Sequence, residues 1–141
     1  AMYNIWLIGG AVLSGIAALL HVLIVWGGAS WYRFFGAGEG MASAAAAGQL
    51  YPAVVTLCIA LVLSAWAAYA LAGAGVLTAL PRQKAALVAI TAIYLVRGLA
   101  ILPLLVFVNQ QATPFLVWSS LICLGYGIVH LIGVAQAWTR W

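Results

Sequence analysis

Apolar residues in this chain occur in long continuous runs, without regular alternation of apolar and polar positions. A helix that crosses the hydrocarbon core of a bilayer needs about 20 mostly apolar residues. Four segments reach that length, at residues 3–26, 52–73, 84–108 and 114–138. The lack of alternation favours helices over the strands of a membrane barrel. The pattern therefore predicts an all-α fold, an integral membrane bundle of four transmembrane helices, in a single domain that spans residues 1–141.

The composition supports a surface that faces lipid. Hydrophobic residues make up 68% of the chain and charged residues 4%, whereas soluble domains carry about 25% charged residues. The few basic residues are scattered singly, and such charges mark membrane edges rather than a nucleic-acid surface. We therefore predict the lipid bilayer as the partner of this chain, and no nucleic acid.

Helix boundaries can be placed at prolines and glycines. Pro52 and Pro114 fall at predicted helix starts, where a missing N–H costs nothing, and Gly73 and Gly75 close the second helix. Ala1 before Met2 is interpreted as an added residue. The first apolar run lacks a basic leader and is too long for a signal peptide, so we expect it to remain as a membrane helix.

Loop charges predict the orientation in the membrane. Arg82 and Lys84 lie between the second and third helices, and Arg140 lies at the C-terminal end. An even number of spans puts these three residues on one face, while Arg33 on the other face is offset by Glu39. Because basic loops favour the cytoplasm, we expect both termini there.

The segment at 27–51 is too long for a tight turn and too apolar for an ordinary loop. It carries aromatic residues around Arg33, then a glycine-rich corner, then a run of alanines. We interpret it as an interfacial or partly re-entrant segment on the outer face, with a short helix at 39–47. Glu39 would lie in the first turn of that helix, where a negative charge is favoured. The alternative is a loop on the lipid surface anchored by its aromatic residues.

Small residues at a spacing of four predict the faces on which the helices pack. The candidate positions are Gly10, Ser14 and Ala18 in the first helix, Ala60, Ser64 and Ala68 in the second, and Ser119, Cys123 and Gly127 in the fourth. His21 and His130 continue two of these stripes and should face the interior. The third helix has no such stripe.

Arg97 is the most informative residue of the third helix. It lies about 16 Å from the predicted outer face, and a charge at such depth costs roughly 2.5 kcal/mol or more unless it is paired or hydrated. Pro103 follows six residues later and predicts a kink beside it. Intramembrane arginine therefore indicates a site around a buried guanidinium.

The predicted site binds or passes a polar or anionic small molecule. Its residues are Arg97, His21, Tyr94, Glu39 and Ser119. Arg97 supplies a fixed charge with a fork of donors, and Glu39 would pair with it when the ligand is absent. The alternative is that Arg97 only holds helices together, in a non-catalytic structural or accessory membrane protein.

Cofactor and metal sites are disfavoured. Haem ligated by His21 and His130 would need both rings at one depth, but they are separated by roughly 10 to 15 Å along the membrane normal. A soft-metal site of His21, Cys58 and Cys123 would lie beside the positive charge of Arg97. We predict neither a cofactor nor a metal.

Enzymatic activity is the weaker expectation. The chain lacks the GxSxG and HExxH motifs, and it has one acidic residue, which excludes carboxylate-pair chemistry within one subunit. An acid–base pair of His21 and Glu39 acting on a lipid headgroup stays open as an alternative. A homodimer that buries some of the small-residue stripes is plausible for so thin a bundle.

The run from His21 through WYRFFGAGEGMA, and on to YLVRGL at 94–99, resembles small four-helix inner-membrane proteins of bacteria. The resemblance covers nearly the whole chain. It implies the four-helix topology and a place in the bacterial inner membrane, and it implies no particular activity.

Overall fold

The computed structural model describes residues 3–111 and 113–141. In those ranges the chain is helical and contains no strand. The α-helices are α1 (Ile5–Gly27), α2 (Ala29–Phe34), α3 (Glu39–Ala46), α4 (Tyr51–Ala74), α5 (Gln83–Leu99), α6 (Ile101–Phe107) and α7 (Pro114–Ala137). Two short 3-10 helices complete the described secondary structure, one at Asn109–Gln111 between α6 and α7 and one at Trp138–Arg140 after α7. The interpretation of Ala1 as an added residue falls outside the described ranges.

Four helical stretches are long and apolar enough to cross a membrane, at Ile5–Gly27, Tyr51–Ala74, Gln83–Phe107 and Pro114–Arg140. They agree closely with the four predicted segments. The predicted all-α class is therefore confirmed, and the chain is a multi-pass membrane protein.

Local sequence explains where α7 begins and α4 ends. Thr113 precedes α7, and its hydroxyl accepts a hydrogen bond from the backbone N–H of Leu116 at 3.1 Å. Pro114 occupies the first position of the helix, where no intrahelical donor is needed. The second span, α4, ends just before Gly75. Gly75 has φ of 91°, a left-handed conformation that suits glycine.

The third span is interrupted at Ala100, between the end of α5 at Leu99 and the start of α6 at Ile101. Pro103 has no N–H to donate to the Leu99 carbonyl four residues earlier, and its ring crowds that carbonyl. The helix is thus interrupted at one residue, three positions after Arg97, where Ala100 keeps helical dihedral angles, and the kink itself stays a prediction.

The chain divides into two compact units. The first consists of Ala1–Ser14 with Trp66–Trp141, and the second of Gly15–Ala65. The first unit contains parts of all four long helices, whereas the second contains α2 and α3 with the adjoining parts of α1 and α4. The sequence predicted one domain and did not indicate this division.

Glycines bring the helices of the first unit together. A Cβ atom on Gly98 of α5 would lie 2.6 Å from the backbone nitrogen of Leu124 in α7, and one on Gly127 would lie 2.6 Å from Leu95. The third helix was predicted to have no stripe of small residues, and Gly98 shows that a single glycine at a helix crossing suffices for close approach.

The small-residue stripe of α1 is confirmed, since Gly10 is buried and Ser14 and Ala18 are 0% and 6% exposed. The stripe of α4 is only partly correct. Ala60 is buried, but Ser64 is exposed and donates its hydroxyl proton to the Ala60 carbonyl at 2.8 Å. A serine that bonds its own helix has no need of an interior partner.

The buried face of α7 begins one residue later than the predicted stripe. Ser120 is 1% exposed and Gly127 is buried, whereas Ser119 and Cys123 are only half-buried. His130, predicted to face the interior, is 0% exposed. The spacing of small residues therefore located this face to within one helical position.

The second unit has its own small apolar core. Tyr32 of α2, Ala42 of α3 and Ile24 of α1 are 2%, 0% and 7% exposed and pack together. The short helix predicted at 39–47 is confirmed as α3, while α2 was not predicted. Gly38 lies between these two helices with φ of 98°, where a side chain would be strained.

Candidate functional site

Arg97 lies in the last turn of α5 on an exposed surface of the first unit. Its Nη1 donates to the hydroxyl of Ser120 at 2.8 Å, and its Nη2 donates to that of Ser119 at 3.1 Å. The adjacent α5 residues Tyr94 and Gly98 are buried, so the helix turn directs Arg97 towards the edge of the unit. The prediction of a guanidinium buried among the helices is therefore wrong.

The two serines hold the guanidinium in a defined orientation. Ser119 donates its own proton to the Leu116 carbonyl at 3.0 Å, which leaves its oxygen lone pairs for Arg97. Ser120 is 1% exposed, so packing fixes its hydroxyl. A guanidinium carries five N–H donors, and the two described bonds occupy one donor on each terminal nitrogen. The remaining donors are available on an exposed side chain.

The chain supplies no carboxylate for Arg97. Glu39 is the single acidic residue of the sequence. Arg33 Nε donates to Glu39 Oε2 at 2.9 Å and Arg33 Nη2 donates to Oε1 at 2.8 Å, and Ser43 adds a weaker bond at 3.3 Å. The pairing of Glu39 with Arg97 is thus replaced by a bidentate pair with Arg33, because the turn between α2 and α3 brings those two side chains together.

The same pair changes the ionisation of both groups. Hydrogen bonds from Arg33, and then its positive charge, hold the pKa of the Glu39 carboxyl below its usual range. The reciprocal interactions raise the pKa of Arg33. Both side chains are more than half exposed, so solvent screens the attraction and the pair adds little to stability.

Tyr94 belongs to the interior of the first unit and not to the surface around Arg97. It is 6% exposed, and its hydroxyl shares a 2.8 Å hydrogen bond with Ser14. Its ring lies 5.2 Å from the ring of Trp66, 5.3 Å from that of Tyr126 and 5.1 Å from that of His130. Tyr94 therefore joins helices through an aromatic cluster.

His130 completes that cluster. Its Nδ1 bonds to the Tyr126 carbonyl at 2.7 Å, while its buried Nε2 has no partner among the described residues. A Cβ on Gly10 would lie 2.8 Å from Nε2. The unpaired nitrogen thus faces a packed helix backbone, with no room for a ligand between them.

His21 lies in the second unit, where it is half-buried. Its Nδ1 bonds to the Ala17 carbonyl at 2.7 Å. A carbonyl only accepts, so Nδ1 carries the proton, and Nε2 of the neutral ring is an acceptor. The ring lines a cavity together with Tyr32 and Thr56.

Of the five predicted site residues, Arg97 and Ser119 are in direct contact, and Tyr94 lies in the same unit with other partners. His21 and Glu39 lie in the second unit with separate partners. Ser120 was missed. Ser119 and Ser120 are adjacent in the sequence, which indicates a pair of hydroxyls. Only the packing of α7 against α5 shows that both hydroxyls reach the guanidinium of Arg97.

The remaining metal-ligating side chains are dispersed. Cys58 and Cys123 are both free thiols. Within residues 3–111 and 113–141, no three His, Cys, Asp or Glu side chains form a group that could hold a metal ion.

Comparison with protein-family models, with curated proteins and with solved structures found no match to this chain.

Proposed function

We propose that this protein binds, and in doing so retains or passes, a small anionic group at Arg97. The observation that carries the proposal is a guanidinium anchored by two serine hydroxyls in a chain whose single carboxylate is engaged elsewhere. A charge in an apolar setting needs a counter-ion. The ligand chemistry is a phosphate or carboxylate oxyanion, which a guanidinium fork binds through paired donors.

Two sources could supply that oxyanion, a free small molecule or the headgroup of an anionic lipid. The test uses purified protein in a neutral detergent. Inorganic phosphate and acetate probe the free anion, and phosphatidylglycerol in mixed micelles probes the lipid. A ligand that binds only the folded protein raises its Tm as its concentration rises. We expect a saturable rise with at least one of these probes.

Matched variants separate specific binding from general charge effects. Arg97→Gln should abolish the rise in Tm, and Ser120→Ala should weaken it by removing one anchor of the guanidinium. Arg140→Gln removes an exposed basic residue near the C-terminal end and should leave the rise unchanged. Two outcomes would contradict the proposal: no probe raises the Tm of the wild type, or Arg140→Gln reduces the ligand-induced rise in Tm as much as Arg97→Gln does. In either case Arg97 only joins α5 to α7, and the accessory interpretation stands.

The proposed location is the bacterial inner membrane, with both termini in the cytoplasm. In support, Lys84 Nζ lies 4.0 Å from the ring centre of Trp138, so two basic segments of the first unit lie at the same end. Exposed Trp31 and Phe34 suit the proposed interfacial placement of the segment at 27–51. A homodimer stays a prediction, because an exposed apolar helix face suits lipid as well as a second copy.

A further inference from the structure

The second unit contains a partly open cavity that the Arg97 proposal does not use. Its volume is about 300 Å³, at the lower end of the range for small-molecule pockets. Helices α1, α2, α3 and α4 all contribute to it. The lining residues are His21, Ile24, Tyr32, Phe35, Ala37, Met41, Val55, Thr56 and Ile59.

Tyr32, one of the residues that line this cavity, carries a buried hydroxyl without a hydrogen-bond partner among the described residues. Tyr32 is 2% exposed, and its Oη has no partner among the described residues. Its ring packs against Ile24 and Ala42, which fix its position. Buried polar atoms are paired in the great majority of cases. Among the described residues that line the cavity, Tyr32 is therefore the one whose buried polar atom lacks a partner.

A complementary acceptor lines the same cavity. The bond from His21 Nδ1 to the Ala17 carbonyl leaves Nε2 of the neutral ring with a lone pair. Thr56 is 5% exposed and adds a third polar side chain. Tyr32 can donate a hydrogen bond and His21 can accept one.

The other lining groups are apolar, and no charged side chain is among them. Burying an ion there would cost its hydration without a compensating charge. The cavity thus suits a neutral molecule with an apolar body and one group that both accepts and donates a hydrogen bond. A phenolic hydroxyl does both. Its oxygen can accept a hydrogen bond from the Tyr32 hydroxyl, and its own O–H can donate a hydrogen bond to His21 Nε2.

We propose that the cavity lined by Tyr32 and His21 binds a small neutral phenol, a class that includes the ring of a reduced quinone. The ring would contact Ile24, Met41 and Ile59. The hydroxyl would satisfy the unpaired Tyr32. No bond is made or broken, because the proposal concerns binding alone.

The test compares para-cresol with toluene, which has the same apolar body and lacks the hydroxyl. The full chain is purified in detergent, and ligand binding is followed by the rise in Tm and by calorimetric titration. We expect saturable binding of para-cresol, at least tenfold tighter than that of toluene. Partition of para-cresol into the detergent micelles, by contrast, does not saturate and does not differ between protein variants.

Tyr32→Phe keeps the ring and removes the hydroxyl, so para-cresol should bind at least fivefold more weakly while toluene is unaffected. Tyr51→Phe is the matched control, because Tyr51 belongs to the same unit and is 63% exposed. Val55→Phe, which fills the cavity, should abolish binding of both compounds. Equal binding of para-cresol to the wild type and Tyr32→Phe, no preference over toluene, or no saturable binding to the wild type would each overturn the proposal.

Discussion

Glycine has different uses in the two compact units. In the first unit, a Cβ on Gly98, Gly127 or Gly133 would come within 2.6 Å of a neighbouring atom, so these residues let helices touch. In the second unit, Gly15 and Gly40 have nothing within 4 Å, while a Cβ on Gly27 would meet the ring of Trp31, four residues further along the chain. The close glycine contacts of the first unit therefore join helices that are far apart in the sequence, whereas the close contact of the second unit is local. The phenol-sized cavity lies in the second.

The same contrast explains two unpaired buried atoms. His130 Nε2 in the first unit and Tyr32 Oη in the second both lack a partner among the described residues. The imidazole faces Gly10, where even a methyl group would lie 2.8 Å away. Tyr32 instead belongs to the residues that line a partly open cavity. An unpaired atom therefore indicates a ligand only where its residue borders such a space.

The sharpest way to break this comparison is to add one methyl group at a helix crossing. Gly98→Ala places its Cβ 2.6 Å from the Leu124 backbone, so α5 and α7 must separate. We expect a loss of about 1–3 kcal/mol in the free energy of unfolding, as overpacking typically costs. Thermal unfolding in detergent, followed by circular dichroism, measures the loss.

Gly125→Ala is the control, because Gly125 has open space around it. Its Tm should equal or slightly exceed that of the wild type, since alanine favours helix. Equal unfolding of the two variants would show that the first unit is not held by glycine contacts.

A smaller effect distinguishes the two tyrosine hydroxyls. Tyr94→Phe removes the bond to Ser14, and we expect a loss of about 0.6 kcal/mol, the average for such bonds in membrane proteins. Tyr32→Phe removes a hydroxyl that has no partner, so its stability without ligand should match or exceed that of the wild type. Chemical unfolding curves for both variants test the difference, and a larger loss for Tyr32→Phe would contradict it.

The smallest effect is the pH dependence of the exposed pair in the second unit. Because Arg33 lowers the pKa of Glu39 in the folded state, the pair contributes stability above the unfolded pKa, about 4.3 for glutamate. That contribution is lost as the pH falls through the lower folded value. The Tm difference between wild type and Glu39→Gln should be small at pH 7 and vanish in strong acid.

High salt should reduce the same Tm difference at neutral pH, because solvent and ions screen exposed charges. A difference that persists in acid would show that Glu39 acts through packing or through its bond with Ser43 rather than through charge.

Apolar run length was enough to predict the four spans and most of their ends. Pro114 and Gly75 mark ends through local backbone chemistry, which needs no knowledge of distant residues. The prediction of α3 succeeded for the same reason. The helix α2 was missed because its aromatic residues are also typical of a loop at a membrane interface.

The candidate site was predicted less well. Arg97 and Ser119 were correctly linked, but Arg97 was expected to be buried and to pair with Glu39. Depth along a helix follows from counting residues, whereas the side of the helix that faces a neighbour depends on packing. Successive residues of a helix point about 100° apart. An error of one position in the predicted buried face therefore selects Ser119 where the structure buries Ser120.

The sequence alone determined that this chain is helical and embedded in lipid, because length and hydrophobicity act locally on each segment. It also determined that Glu39 supplies the single acidic side chain for the four arginines of the chain. Only the tertiary structure decided that Arg33 pairs with that carboxylate, that two serines bind Arg97, and that Tyr32 and His21 line one cavity. Those outcomes depend on helix phase and on contacts between residues far apart in the chain, which local sequence patterns do not encode.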